Sequence, residues 1–146
     1  MNIIFVCHGN ICRSVAAEYI AKKMDIHHHF NIISRATSYE EIGNDIYSPM
    51  KQELYRQDIP FDIHHATRIN KEDYDWADYI FFMDDENKYY LDKILVDSQN
   101  KIKPIYLYTP SINEIEDPWY TRNFHKVVEQ IKTCLKDIFS NIEKTK

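Results

Sequence analysis

The sequence predicts an α/β fold for residues 1–146, read as a single domain with a four-stranded parallel sheet and helices on both faces. Short apolar runs alternate with stretches of helical periodicity, the order that builds strand–helix–strand units. The apolar runs are continuous rather than alternating with polar residues, as expected of strands buried on both faces. The chain has 146 residues, 44% of them hydrophobic. That is enough for one core, and no stretch reads as a linker or a repeat.

Asn2-Ile3-Ile4-Phe5-Val6 is the first strand, and Ser14 to about Met24 is the helix that follows it. Phe30-Asn31-Ile32-Ile33-Ser34 is the second strand. A loop through Gly43 leads to a helix from Ser48 to about Gln57, with Ser48 as its cap and Pro49 as its first residue. Asp78 to Met83 is the third strand, Asp85 to Leu95 a helix, and Lys103 to Tyr108 the fourth strand. One long amphipathic helix is expected from Tyr120 to Asn141, with Val127, Val128, Ile131, Leu135 and Ile138 at helical spacing and Ile142 continuing the pattern. Folds of this class bind ligands at the carboxyl ends of their strands. Cys7 stands at that end of the first strand.

The turn Cys7-His8-Gly9-Asn10-Ile11-Cys12-Arg13-Ser14 places a nucleophile, a cation and a loop of free amides at a helix N-terminus. Amides of a first helical turn lack intrahelical acceptors, and the helix dipole adds positive charge there, so a phosphate would meet donors already oriented. The same field stabilises a thiolate. Arg13 lies six positions after Cys7, a spacing suited to a loop curled around one tetrahedral anion, and its planar fork can hold two oxygens at once. Gly9, one of only two glycines, is expected to allow close approach to the anion or a positive φ. Asn10 tolerates left-handed geometry and can bond across the loop. Ser14 can hydrogen-bond the Cys7 sulfur, cap the helix, or do both.

Cys-His-Gly-Asn-Ile-Cys-Arg-Ser resembles the Cys-x5-Arg loop of the low-molecular-weight protein tyrosine phosphatases, and Ile115-Glu116-Asp117-Pro118-Trp119-Tyr120 resembles their Asp-Pro-aromatic loop. The resemblance extends over about residues 2 to 140, through Ser34-Arg35-Ala36-Thr37-Ser38, Lys71-Glu72-Asp73-Tyr74 and Met83-Asp84-Asp85-Glu86-Asn87. It implies hydrolysis of phosphotyrosine through a cysteinyl-phosphate, with Cys7 as nucleophile, Arg13 binding phosphate and stabilising the transition state, and Asp117 as general acid and base. Residues His8 to Cys12 and Ser14 would surround the substrate with Tyr39, Trp119 and Tyr120 at the pocket mouth. It further implies that Ser34 and His64 join Asn10 and Ser14 in a network holding the loop in shape. Family members that hydrolyse phosphoarginine carry threonine where this chain has Ile11. Pro118 restricts Asp117 to extended backbone, and the same dipeptide also reads as a helix cap followed by a first helical proline. No metal or cofactor is expected, because the loop amides and Arg13 supply the charge stabilisation.

His8, Val15 and Arg35 depart from the family pattern. His8 has two readings, a titrating group beside the phosphate or a solvated rim residue. Cys12 also has two: the resemblance implies that it traps an oxidised Cys7 as a disulfide, and the plainer reading is a buried thiol packing the loop. Cys134 reads as a core residue of the last helix. Three cysteines, an odd count without framework spacing, suit a reducing compartment. The chain starts with strand-like sequence and has no apolar run of membrane-spanning length, so a cytoplasmic location and no membrane partner are expected. A net charge of −5 excludes the basic footprint of a nucleic-acid binder. The expected partner is a phosphotyrosine protein, among them a bacterial tyrosine kinase as in relatives. Two alternatives share the loop: an arsenate reductase, which needs two further relay cysteines, and an idle phosphotyrosine- or phosphate-binding module.

Overall fold

Unbroken apolar sequence makes β1 (Asn2–Cys7) the centre of the sheet in the computed structural model, which describes residues 1–144. Its flanking strands are β2 (Asn31–Ala36) and β3 (Tyr79–Phe82), and β4 (Ile102–Pro104) closes the far edge. The order is β2-β1-β3-β4 and every pairing is parallel. Successive β1 side chains enter different cores. Ile3, Phe5 and Cys7 join one with Phe81, and Ile4 and Val6 join the other with Ile80 and Phe82. The helices are α1 (Arg13–Met24), α2 (Ser48–Arg56), α3 (Lys71–Trp76), α4 (Asp85–Ile94), α5 (Pro118–Thr121) and α6 (Phe124–Lys144). The first core takes in Val15, Ile20 and Leu54 from α1 and α2 with Val127, Val128, Ile131, Leu135, Ile138 and Ile142 of α6; the second takes in Tyr74 and Leu91 from α3 and α4. Both faces of the sheet are therefore covered, as expected.

The chain leaves β1 for β2 on one side and returns to β3 on the other, which puts the reversal of strand order beside the carboxyl end of β1. At such a switch point the connections diverge and leave a crevice. Cys7 is the last residue of β1 and opens into that crevice.

Several boundaries differ from expectation. β1 runs one residue further, through Cys7, and β2 is shifted to Asn31–Ala36 because Cys7 pairs with Ala36. The fourth strand, expected over Lys103 to Tyr108, is only Ile102–Pro104. Pro104 brings no N–H to the edge, and past it Leu107 N donates to Pro104 O and Thr109 N to Tyr106 O, which turns the chain away. The expected single C-terminal helix is two. Arg122, in the left-handed region at φ 61°, ends α5, and Asn123 Oδ1 accepts from Lys126 N at 3.1 Å to start α6. Ser48 lies inside α2 rather than capping it, the cap position being Tyr47.

Candidate active site

The loop from Cys7 to Arg13 folds around the sulfur. Asn10 N points at Cys7 Sγ from 3.3 Å and Ser14 N from 3.4 Å. Ser14 Oγ is 3.0 Å from the sulfur and accepts from Asn10 Nδ2 at 2.8 Å, so its own hydrogen is free to donate to a thiolate. Ser14 thus serves the sulfur and does not cap: α1 starts at Arg13, and its cap position, Cys12, makes no side-chain bond to the helix. The left-handed residue of the loop is Asn10 at φ 60°, not Gly9. A Cβ on Gly9 would stand 3.3 Å from Glu41 Cγ, so that side chain would have to shift by a few tenths of an ångström.

Asn10 is fully buried and spends every polar atom of its side chain on the loop's support. Besides Ser14, its Nδ2 donates to Ser34 Oγ at 2.9 Å, and its Oδ1 accepts from Thr67 N at 3.1 Å. His64 Nε2 lies 2.6 Å from Asn10 O, and a carbonyl can only accept, so the proton of His64 is on Nε2. His64 is in turn held by its backbone N–H, which donates to Asp45 Oδ1 at 3.0 Å. Lys51 bonded to Asp45, helped by the amides of Ile46 and His64 against the cost of burial, holds that carboxyl at about 2. At the other end Ser34 donates to Glu18 Oε1 at 2.6 Å, and Lys22 Nζ bonds the second Glu18 oxygen. The four expected network residues are therefore brought together, and Glu18 and Asp45, which the sequence did not single out, extend the network at both ends. A left-handed asparagine costs energy, and this saturation of its bonds is what holds it there.

Arg13 is buried, with 2% exposure. Its Nη1 donates to Asp84 Oδ2 at 2.6 Å and to Ile115 O at 2.8 Å, and its Nη2 lies 3.5 Å from Asp117 Oδ2. Asp84 uses its other oxygen to cap α4 by accepting from Asn87 N. Burial opposes the charge of Arg13, but Cys7, Asp84 and Asp117 outweigh it and push the guanidinium pKa up. Asp117 stands in extended backbone at the cap of α5. Its Oδ1 caps α5 by accepting from Trp119 N at 3.0 Å, with Pro118 at the helix start, and its Oδ2 faces Arg13. Trp119 packs against Tyr47 with the rings tilted by 45° and centroids 4.7 Å apart, which ties this loop to the start of α2.

These groups open into a cleft of about 460 Å³ lined by Cys7, His8, Gly9, Ile11, Cys12, Arg13, Asp117, Trp119 and Tyr120, with Glu40, Glu41, Asp84 and Glu86. Three expected contacts are placed otherwise. Asn10 and Ser14 lie beneath the cleft, fully buried, and Tyr39 lines an adjoining groove. Tyr39 is turned away because its ring lies on the guanidinium of Arg68, 4.3 Å from the centroid. Glu40, Glu41 and Glu86 were missed, since carboxylates on a phosphate-binding mouth run against the charge argument that located the site. Proximity of Glu40 to Tyr39 in sequence was the one available signal.

The family model for low molecular weight phosphotyrosine protein phosphatase matches residues 2–146. The chain belongs to that family. It is 33% identical over its whole length to a low molecular weight protein-tyrosine-phosphatase of Bacillus subtilis, YfkJ, covering 98% of that protein. The crystal structure of YfkJ superposes with a TM-score of 0.92 at 33% identity, over 100% of this chain and 96% of that one. The human low molecular weight phosphotyrosine protein phosphatase is 34% identical over 92% of this chain and 91% of its own. Against the phosphatase family pattern, His8 bridges the mouth, 3.0 Å from Glu40 and 3.8 Å from Glu86. Arg35 turns outward to Asp73 at 3.1 Å, and Val15 packs fully buried in the first core.

Proposed function

We propose that this chain is a cytoplasmic protein-tyrosine phosphatase whose one catalytic domain spans residues 1–146. The observation that supports it best is the convergence in one cleft of the Cys7 sulfur, ringed by amides, with Arg13 and Asp117. Cys7 attacks phosphorus while the bond to the phenolic oxygen breaks, and Asp117 gives that oxygen its proton. Water then attacks the cysteinyl-phosphate, Asp117 takes a proton from it, and the sulfur–phosphorus bond breaks to release phosphate. Arg13, fixed by Asp84 and Ile115 O, needs no reorganisation to meet the equatorial oxygens. The partner class is phosphotyrosine protein, including tyrosine kinases that phosphorylate themselves. Among the described residues no helix is long and apolar enough to cross a membrane, in keeping with the proposed location.

The arsenate reductase reading lacks its chemistry. Beyond the loop the sole cysteine is Cys134, which is fully buried among the core residues of α6. Cys134 packs as expected, and burial, against the opposing hydrogen bond to Thr109 and with the charge of Asp137 adding to it, pushes its thiol up to about 11.

Ile11, 8% exposed, lines the cleft with an apolar, branched wall and no hydroxyl. With Trp119 and Tyr120 it suits a flat phenol ring. On matched phosphopeptides, without added metal, kcat/KM is expected to favour phosphotyrosine strongly over phosphoserine and phosphoarginine, and Ile11→Thr to gain phosphoarginine activity. Equal cleavage of phosphoarginine and phosphotyrosine by the wild type would overturn the assignment.

Cys12 is the trap for an oxidised Cys7 in this proposal. Burial, then the negative charges of Cys7 and Asp117, push its thiol well up against the pull of Arg13 and Arg122, which disfavours its thiolate while Cys7 is reduced. Oxidation of Cys7 to an uncharged sulfenic acid removes one of those causes and presents an electrophile to Cys12. Attack by the Cys12 sulfur then forms the disulfide and releases water. Peroxide is therefore expected to inactivate the wild type reversibly, with activity restored by thiol, and to inactivate Cys12→Ser permanently. The same recovery in both would leave Cys12 as packing alone.

A further inference from the structure

Beside the catalytic cleft, and sharing His8 and Glu40 with it, lies a second groove of about 470 Å³ that also takes in Thr37, Ser38, Tyr39 and Tyr90. Its composition differs from that of the cleft. Two tyrosine rings stand open to solvent, Tyr39 at 70% exposure and Tyr90 at 40%. Glu40 Oε2 lies 3.0 Å from His8 Nε2 as its acceptor, and the other carboxylate oxygen is open among the described residues. Thr37, 5% exposed, has a buried hydroxyl without a hydrogen-bond partner among the described residues. His8 and Glu40 form the wall common to both cavities, so a chain seated with its phosphate on Cys7 passes this groove within a few residues.

We propose that the groove is a specificity subsite for an arginine or lysine neighbouring the phosphotyrosine of the substrate. This deepens the phosphatase reading above and rests on it. A guanidinium entering the groove meets the exposed side chains of Tyr39 and Tyr90 and the free oxygen of Glu40. The Tyr39 ring already holds one guanidinium, that of Arg68, which does not line the groove. Glu40 is the one acid of the groove and the groove has no lysine or arginine. The adjoining mouth adds Glu41 and Glu86, while the cleft's Arg13 is already matched by Asp84 and Asp117. A basic neighbour is attracted by this rim, and an acidic one is repelled. Exposed cation–π contacts and exposed ion pairs are each modest, so the preference is about five- to tenfold rather than a hundredfold.

The test uses phosphotyrosine peptides in an alanine background, with arginine or glutamate placed in turn at each position near the phosphotyrosine. The wild type is expected to show, at one or two positions, kcat/KM about five- to tenfold higher for arginine than for alanine, and lower for glutamate. Glu40→Gln and Tyr90→Ala are each expected to bring the arginine-to-alanine ratio towards one. Because the ratio is internal to each variant, any general loss of activity cancels. Peptide binding to Cys7→Ser is expected to show the same order and to lose it as salt rises. Hydrolysis of the alanine peptide and of p-nitrophenyl phosphate with no arginine advantage at any position would overturn the subsite and leave the phosphatase reading standing. So would an advantage that survives both substitutions. Failure to hydrolyse either substrate would remove the phosphatase reading and the subsite with it.

Discussion

Cys7→Ser is expected to abolish turnover, to below about a hundredth of the wild-type rate, while inorganic phosphate and vanadate still bind. The substitution changes the attacking atom and little else. The amides of Asn10 and Ser14 are aimed at the sulfur by the backbone, and Arg13 is held by Asp84 and Ile115 O, so none of these donors depends on Cys7 for its position. A serine hydroxyl at the same place does not ionise as a thiol does, and the first step needs Asp117 protonated as the acid, so that carboxyl is not the base for it. Ser14 Oγ, 3.0 Å from that position, is already accepting from Asn10 Nδ2. Binding of vanadate by the serine variant, measured calorimetrically, separates loss of the nucleophile from loss of the loop. Residual turnover above that level would remove Cys7 as nucleophile. Unfolding at a markedly lower temperature, with vanadate binding lost, would assign the residue to the scaffold.

How far the site could be read from the chain depends on the range of the physical signal. Cys7, Arg13 and the helix behind them are local: nucleophile, cation and free amides lie within one turn of chain, and continuous apolar sequence gives away the strand that positions them. The residues that make the loop rigid are not local. Glu18 and Asp45 meet Asn10 only through Ser34 and His64, 24 and 54 residues from it, and a buried glutamate in a helix and a half-buried aspartate in a loop look like surface residues in sequence. Asp84 was visible only as part of a turn, although it carries the shortest bond to Arg13. Elements failed where one residue overrides a pattern. Pro104 stops an otherwise convincing apolar strand, and Arg122 in the left-handed region splits a helix whose apolar spacing gives no hint of the break. Tyr39 is expected at the mouth with Trp119 and Tyr120, and its contact with Arg68 lies beyond any sequence signal.

Asp117→Asn is expected to lower kcat/KM for phosphate esters of poor leaving groups by about 10²–10⁴-fold and to affect good ones much less. Asparagine keeps the structural half of the residue's work. Its carbonyl can accept from Trp119 N as Asp117 Oδ1 does, and asparagine caps helices as well as aspartate, so α5 and the Pro118-Trp119 turn stay in place. What it removes is the acidic proton, together with the negative charge facing Arg13 across 3.5 Å. An alkoxide or a basic phenolate cannot leave without that proton, whereas a nitrophenolate can. The quantity to compare is kcat/KM across a series of aryl phosphates of graded phenol pKa, because it reports the steps through phosphorylation of Cys7 and is blind to the later hydrolysis of the cysteinyl-phosphate. A steeper dependence on leaving-group pKa in the variant places the proton transfer at Asp117. Parallel lines, displaced by a constant factor, would mean that the carboxylate acts through Arg13 and the helix cap alone, and another group would have to be sought for the acid.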